Sequence, residues 1–173
     1  MTDKKLVKDV MLEIFEYPHI PYWFNIEQVI KVVKASFIQT KKHTDPLAIL
    51  VFDEKYNLLG TATLKDILKG IEPVLLKPLP EVSALDEGKT VFAVVWDDLF
   101  REESKKLAQK PVSEIMVPAK HFVDPSDPVT KAAYLMIHFD LALLPVIEDN
   151  KKLVGIVRMV EVFDAISEEI IKE

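Results

Sequence analysis

Three residues in the first half of the chain have the types and spacing of a phosphate and ribose site: Gly60, Thr63 and Asp66. A threonine at the start of a helix adds its hydroxyl to backbone N–H groups that lack partners within the helix, and such groups hold phosphates. A carboxylate three residues later can accept both hydrogen bonds of a ribose diol. A glycine, which has no Cβ, lets a ligand approach the backbone closely. The spacing therefore fits a nucleotide site.

The same spacing also has a purely structural interpretation. A Thr-x-x-acid sequence before an apolar stretch is a capping box, in which the two side chains stabilise the start of a helix and bind no ligand. Both interpretations place Thr63 and Asp66 in the first turn of a helix. Spacing by itself leaves both of them open.

The equivalent positions in the second half are occupied by Gly155, Arg158 and Glu161. Arginine has no acceptor with which to cap a helix N-terminus, but its guanidinium suits bidentate phosphate recognition. Glutamate still reaches a diol through one more methylene group. The alternative, which the usual surface habit of these residue types favours, is a solvated Arg158 beside Glu161. We therefore predict a better site at Gly60, Thr63 and Asp66 and a weaker one at Arg158 and Glu161.

An internal repeat relates these two sets of residues and predicts the elements that position them. The paired segments are residues 5–11 with 110–116, 26–33 with 129–136, and 58–66 with 153–161. In each copy, helical periodicity is followed by an apolar run, a charged turn and a second apolar run through the glycine, which indicates a helix and a hairpin. A further helix is expected to start near Thr63 and near Met159. We predict an α+β fold in which two helix-strand-strand-helix repeats pack by their sheets into a pseudo-two-fold pair.

The offset between the copies predicts where one repeat ends and the next begins. Residues 1–70 are expected to form the first repeat, 71–109 a linker and 110–173 the second repeat. The first copy has about ten extra residues, expected as loops around 17–23 and 39–45. The linker is punctuated by proline and then shows a helical pattern over 90–109, although its residues 91–96 also fit a strand.

Composition narrows the classes of function. The chain has 173 residues, of which 49% are hydrophobic and 29% charged, so a packed core is expected. Its net charge of −6 disfavours binding to nucleic acid or anionic membranes, and the lack of cysteine excludes thiolate catalysis. No apolar run approaches the ~18 residues of a membrane span, so we expect a cytoplasmic protein. No catalytic constellation is evident, and we expect no enzyme activity.

Other residues that attract attention have structural interpretations. Four histidines, at positions 19, 43, 121 and 138, lack the spacing of metal ligands, so no metal site is expected. The cluster Lys41, Lys42 and His43 either reaches a phosphate or forms a solvated loop. The two tryptophans, Trp23 and Trp96, favour packing or an interface over base stacking, which makes the linker helix a candidate dimer contact.

The order of these motifs resembles a tandem pair of cystathionine β-synthase (CBS) domains. The motifs are Val-x-[Asp/Glu]-x-Met at residues 7–11 and 112–116, a Leu-Pro-Val strand at 144–146, and a hairpin ending in Gly-x-x-Thr-x-x-Asp at 60–66. The second copy keeps the proline, where the first has Leu50, and the first copy keeps the threonine and aspartate. The resemblance covers nearly everything except the linker.

The resemblance implies a regulatory module and no reaction. Clefts between CBS repeats commonly receive adenosine-containing ligands such as AMP, ADP, ATP or S-adenosylmethionine, and no cofactor is required. CBS pairs often dimerise, so a homodimer and a regulated partner protein are implied. The alternative is a ligand-free scaffold that uses the CBS pair and the linker helix for protein interaction or dimerisation.

Overall fold

The computed structural model describes residues 4–39, 48–73 and 89–171. Five helices occur in these stretches: α1 (Ile26–Gln39), α2 (Leu64–Gly70), α3 (Lys89–Leu107), α4 (Val129–Phe139) and α5 (Met159–Ile171). The strands described are β1 (Leu12–Glu13), β2 (His19–Pro21), β3 (Ala48–Phe52), β4 (Leu58–Thr63), β5 (Val117–Pro118), β6 (Leu143–Glu148) and β7 (Lys152–Arg158). Short 3-10 turns cover Val7–Asp9, Ile14–Glu16 and Val112–Glu114.

Two sheets are built around the two predicted hairpins. One has the strand order β2-β3-β4-β5 and the other β1-β7-β6. Within each hairpin the strands are antiparallel, with Ala48 opposite Thr63 in one and Leu143 opposite Arg158 in the other. The last residue of each second strand therefore stands beside the first residue of its partner strand, where the next helix begins.

The sheets pack face to face, and helices cover their outer faces. Side chains of β3 alternate between the two environments, because successive residues of a strand point to opposite faces. Leu50 lies in an apolar cluster with Leu143 and Ile156 of the other sheet. Its neighbours Ile49 and Val51 instead pack in a cluster with residues of α1 and α2. The predicted α+β pair of repeats joined through their sheets is confirmed.

The segment that begins each repeat packs on the other repeat. Val7 is buried in a cluster with residues of α4, α5, β6 and β7, and Val112 is buried with residues of α1 and β3. The backbone bonds are the same on both sides, because the N–H of Val7 donates to the carbonyl of Asp127 at 2.8 Å and that of Val112 to Phe24 at 2.8 Å. The two packing units are therefore not continuous stretches of chain, and a division near residue 110 separates the repeats but not these units.

Most helices and strands lie where the sequence pattern places them. Helices begin at Leu64 and Met159, as expected near Thr63 and Met159. The prediction of a loop over 17–23 is wrong in part, because His19–Pro21 forms β2, parallel to β3. In the linker, the helix predicted over 90–109 is observed as α3 (Lys89–Leu107), and residues 91–96, which also fitted a strand, belong to this helix. Most of the loop predicted at 39–45 lies outside the described residues.

Candidate functional site

Thr63 and Asp66 lie together at the junction of β4 and α2. The N–H of Asp66 donates to Thr63 Oγ1 at 3.2 Å, while the N–H and hydroxyl of Thr63 donate to Asp66 Oδ2 at 2.9 and 2.7 Å. This is a complete capping box, which satisfies the amide of Asp66 in the first turn of α2. The structural interpretation of the Thr-x-x-Asp spacing is thus observed.

The capping box leaves part of this junction available for a ligand. Both bonds from Thr63 go to the same carboxylate oxygen, Oδ2, so Oδ1 of Asp66 takes no part in the box. A carboxylate has about four lone-pair sites, so Asp66 can cap its helix and still accept a hydroxyl. Thr63 and Asp66 are both half-buried, which leaves them reachable from solvent. Capping and ligand binding are therefore compatible at this position.

The structure explains why position 60 is a glycine, and the reason is one that the sequence did not suggest. Gly60 and Pro118 are paired between β4 and β5, and a Cβ placed on Gly60 would lie 2.5 Å from the carbonyl oxygen of Val117. Gly155 stands in the same relation to β1, where a Cβ would lie 2.3 Å from the carbonyl oxygen of Leu12. Both glycines thus permit the close approach of a strand from the other repeat.

Arg158 and Glu161 form an ion pair at the junction of β7 and α5. The guanidinium Nε of Arg158 donates to Oε1 and Oε2 of Glu161 at 3.0 Å each, and Nη2 makes a further bond to Oε1. The backbone N–H of Arg158 also donates to Oε2 at 3.1 Å. The side chain of Arg158 is only 9% exposed and that of Glu161 only 19% exposed.

The interpretation of Arg158 as a solvated surface residue is therefore wrong. Arg158 ends β7 opposite Leu143, inside the sheet, so its side chain lies among packed elements instead of in water. A charge in such a place requires a partner of opposite sign, which Glu161 supplies. The β4–α2 and β7–α5 junctions therefore differ. Arg158 donates to both carboxylate oxygens of Glu161, whereas Thr63 donates to only one oxygen of Asp66.

The remaining candidate residues make contacts of other kinds. His121 stacks on Phe139 with ring centroids 3.8 Å apart, and His138 contacts Tyr134 at 4.2 Å. Trp23 is exposed and meets Tyr22 edge to face. Within the described stretches, no group of three His, Asp or Glu residues could hold a metal ion. Lys41, Lys42 and His43, and the side chain of Trp96, lie outside the described residues.

A methionine lies close to the glycine that precedes each junction, and the sequence did not predict either contact. We call residues 6–13 and 111–118, the starts of the two repeats that pack on the opposite repeat, the exchanged segments. They bring Met116 close to Gly60 and Met11 close to Gly155. The methionines are visible in the sequence as the ends of matching segments. Their positions across from the opposite glycine follow only from the three-dimensional packing.

Comparison with known sequences identifies one part of the chain. The model of the CBS domain family matches residues 112–168. No curated protein sequence matches the chain. None of the helices in the described stretches is both long and apolar enough to cross a membrane.

Comparison with solved structures extends the likeness to almost the whole chain. The CBS-pair protein CBSX2 from Arabidopsis thaliana is 17% identical, with 98% of this chain and 99% of that chain covered and a TM-score of 0.66. A CBS domain-containing protein of unknown function from Bacillus anthracis str. Ames Ancestor is 19% identical, with 95% and 94% covered and a TM-score of 0.66.

Two similar structures contain a nucleotide. CBSX2 in complex with AMP is 18% identical, with 95% of this chain and 97% of that chain covered and a TM-score of 0.60. The cytosolic domain of the Mg²⁺ channel MgtE in complex with ATP is 22% identical, with 90% of this chain covered and a TM-score of 0.57. The present chain spans 46% of that MgtE chain. Residues 112–168 thus match the CBS domain family, and the described part of the chain has the fold of a CBS pair.

Proposed function

We propose that this protein is a regulatory module that binds an adenosine-containing ligand at the start of α2. The observation that carries the proposal is the shared fold with two CBS structures that contain a nucleotide, AMP in one and ATP in the other. The ligand classes considered are AMP, ADP, ATP and S-adenosylmethionine. The proposal includes a non-catalytic role in the cytoplasm, without a required cofactor, in which ligand occupancy controls a partner protein.

The chemistry at the start of α2 supports this assignment. Asp66 Oδ1 is outside the capping box and can accept a ribose hydroxyl, while the first amides of α2 can face a phosphate. The Thr63 hydroxyl would join them by exchanging its bond to Asp66 Oδ2 for one to the phosphate. Gly60 keeps β4 and β5 in close contact and so fixes the wall of this junction. The ligand roles of Gly60, Thr63 and Asp66 are the part of the proposal that mutation must test.

We further propose that the second junction does not bind the ligand in the wild-type chain. Arg158 engages both carboxylate oxygens of Glu161, so neither side chain is available without breaking a largely buried ion pair. Breaking such a pair carries a large desolvation cost. A stoichiometry of one ligand per chain follows, and the weaker site at Arg158 and Glu161 stays unoccupied.

Isothermal titration calorimetry with each of the four ligands tests the proposal. We expect heat with at least one of them and one site per chain. Asp66→Asn should weaken binding about tenfold or more, because a charged acceptor is replaced by a neutral one. Asp9→Asn is the matched control, since Asp9 also accepts a backbone N–H three residues earlier, from Leu6 at 2.9 Å, but lies in the exchanged segment.

A ligand-free interaction scaffold is the second candidate function. The observation that favours it is the filled second junction together with exposed apolar residues on α4 and α5. No heat with any of the four ligands, at protein concentrations that reveal millimolar binding, would leave the scaffold as the function. A loss of binding in Asp66→Asn with the fold intact would exclude it.

A further inference from the structure

Two aromatic residues and a carboxylate lie together beside the turn of the first hairpin. The N–H of Tyr22 donates to the carbonyl of Phe52 at 2.9 Å, so the residues that follow β2 lie beside the end of β3. The rings of Tyr22 and Trp23 meet at an interplanar angle of 82°, with their centroids 5.4 Å apart. The hydroxyl of Tyr22 donates to Oε1 of Glu54, in the turn, at 2.8 Å. We call Tyr22, Trp23 and Glu54 the Trp23 surface.

The second repeat shows that the fold does not require these aromatic residues. At the repeat offset of 103, Tyr22 and Trp23 correspond to Pro125 and Ser126. The next residue of each copy accepts an equivalent backbone hydrogen bond from an exchanged segment, which supports this alignment. The same connection between strand and helix is therefore built in the second repeat without an aromatic side chain, and the Trp23 surface is a property of the first repeat alone.

Trp23 presents its indole ring to solvent close to a carboxylate that has a spare oxygen. Trp23 is 57% exposed, and the bond from Tyr22 holds Glu54 beside the pair of rings. Among the described residues, no lysine or arginine pairs with Glu54 and no donor to its Oε2 is observed. An indole ring, a phenol ring at right angles to it and an unpaired carboxylate thus meet at the surface.

This combination of groups recognises a cation, and arginine fits it best. The face of an aromatic ring, tryptophan above all, attracts a cation that lies within about 6 Å of its centroid. The planar guanidinium of arginine can stack on such a ring while its N–H fork meets a carboxylate, which the compact ammonium of lysine cannot do. A free quaternary ammonium ion is instead bound by a cage of aromatic rings. Trp23, more than half exposed, does not enclose a ligand in this way.

The charge of the chain also favours a basic partner. The net charge is −6, and the turn itself carries Asp53 and Glu54 against Lys55. A field of this sign attracts a positively charged segment and speeds its approach. Tryptophan, tyrosine and arginine are the residues that contribute most to the centres of protein interfaces.

From these contacts we infer that the Trp23 surface docks a basic segment of a partner protein, with an arginine stacked on Trp23 and paired with Glu54. The surface lies at the opposite end of the first hairpin from the proposed ligand junction. The six residues of β4 (Leu58–Thr63) separate the turn from that junction, which is about 20 Å along the strand. Partner and ligand can therefore be bound at the same time, and the inference does not depend on ligand binding.

Fluorescence anisotropy of a dye-labelled peptide of about four Arg-Gly repeats, titrated with the full chain, tests the inference. We expect saturable binding with a dissociation constant below ~1 mM, and about threefold weaker binding of the matching Lys-Gly peptide. Trp23→Ser, a change to the residue type of the second repeat, should weaken binding about tenfold or more. Tyr134→Ser is the matched control, because Tyr134 is 58% exposed and its ring contacts His138 instead of a tyrosine bonded to a carboxylate.

A second pair of variants isolates the charge. Glu54→Gln keeps an acceptor for the hydroxyl of Tyr22 and removes only the negative charge, so it should weaken binding of the Arg-Gly peptide about fivefold. Asp149→Asn is its control, because Asp149 holds the equivalent position in the turn of the second repeat, at the offset of 95. Far-UV circular dichroism should show all four variants folded, because the altered side chains are exposed.

The remaining outcomes separate this docking surface from its alternatives. Absence of binding at ~1 mM, or equal weakening by the control variants, would overturn the inference, because attraction would then be absent or due to overall charge alone. Displacement of the peptide by tetramethylammonium at the same concentration of cation would mean that the surface takes a free ammonium ion, which also overturns it. Sedimentation of Trp23→Ser should match that of the wild type, and a change in oligomeric state would instead assign the surface to a second copy of the chain.

Discussion

At the residue scale, the two strand-to-helix junctions use the same geometry with different chemistry. In both, a carboxylate three residues into the helix accepts the backbone N–H of the last strand residue, at 2.9 Å for Asp66 and 3.1 Å for Glu161. The side chain of that last strand residue then determines how many carboxylate oxygens stay outside the junction's own hydrogen bonds. Threonine engages one oxygen of its partner, whereas arginine engages both, so the same backbone frame gives one open junction and one closed junction.

Removal of Arg158 should destabilise the protein strongly. In Arg158→Met the Glu161 carboxylate, 19% exposed, would lose its cation, and we expect the free energy of unfolding to fall by about 3–5 kcal/mol in urea denaturation. The double variant Arg158→Met with Glu161→Leu should recover most of that loss, because no charge is left buried. Equal destabilisation of the single and double variants would contradict this account.

The sequence predicted part of this site. Thr63 and Asp66 were identified because a capping box is a local pattern, determined by residues three apart. The burial of Arg158 was not predicted, because it depends on how β7 packs against residues distant in the chain. The reason for Gly60 was missed on the same ground, since Val117 is brought beside it only by the exchanged segment.

At the element scale, the exchanged segments explain two of the glycines and give a stability prediction. In Gly155→Ala the new Cβ would lie 2.3 Å from the backbone oxygen of Leu12, which cannot move without disturbing the β1–β7 pairing. We expect a loss of about 1–3 kcal/mol in the free energy of unfolding, the usual cost of overpacking. Urea denaturation followed by circular dichroism measures it.

Gly70→Ala is the matched control for that measurement. A Cβ at Gly70 would meet Ile115 Cγ2 at 2.6 Å and Ile26 Cδ1 at 3.0 Å. Both atoms belong to side chains, and Cγ2 can move by a change of χ1 without breaking a strand pairing. Alanine also has the better helix propensity at the end of α2. We expect Gly70→Ala to cost clearly less than Gly155→Ala, and the reverse order would refute the role of the backbone contact.

The turn of the first hairpin predicts a dependence of stability on pH. Asp53 Oδ1 accepts the N–H groups of Lys55 and Asn57, each at 2.8 Å, and Oδ2 accepts the side-chain amide of Asn57 at 2.9 Å. The side-chain amide of Asn57, followed by its backbone N–H, holds the pKa of Asp53 below its ordinary value of 3.8. A carboxyl with a lowered pKa in the folded state contributes stability above 3.8 that is lost as the pH falls through the folded value.

Asp53→Asn isolates this contribution. The wild type should be more stable than the variant above pH 3.8, and the difference should shrink as the pH falls below it, because only the wild type has the titrating group. Urea denaturation at a series of pH values measures the difference. A difference that grows on acidification would show that the carboxylate destabilises the turn.

Most helices and strands could be predicted from the sequence, but the elements against which they pack could not. The hairpins were predicted because charged turns separate apolar runs, and in the second one Asp149 and Asn150 take the positive φ values, 50° and 56°, that such a turn requires. The exchange was not predictable, because the segments ending at Met11 and Met116 have similar apolar patterns. Either segment suits either repeat, and only the global geometry assigns them.

At the scale of the whole molecule, the exchange joins the two repeats into one cooperative unit. Val7 and Val112 are each fully buried in the core of the other repeat, and the apolar cluster between the sheets draws Leu50 and Ile156 together. Unfolding one repeat would expose part of the core of the other. Two repeats that share their cores in this way are expected to unfold in a single transition.

A core substitution in the second repeat should therefore be felt in the first. Leu144 is fully buried among residues of the second repeat, and Leu144→Ala should lower the free energy of unfolding by about 2–5 kcal/mol. In a Trp96→Phe background, fluorescence reports on Trp23, which lies beside Tyr22 in the first repeat. We expect the urea midpoint measured at Trp23 to shift with Leu144→Ala by the same amount as the midpoint from circular dichroism, and an unchanged Trp23 midpoint would mean that the repeats unfold independently.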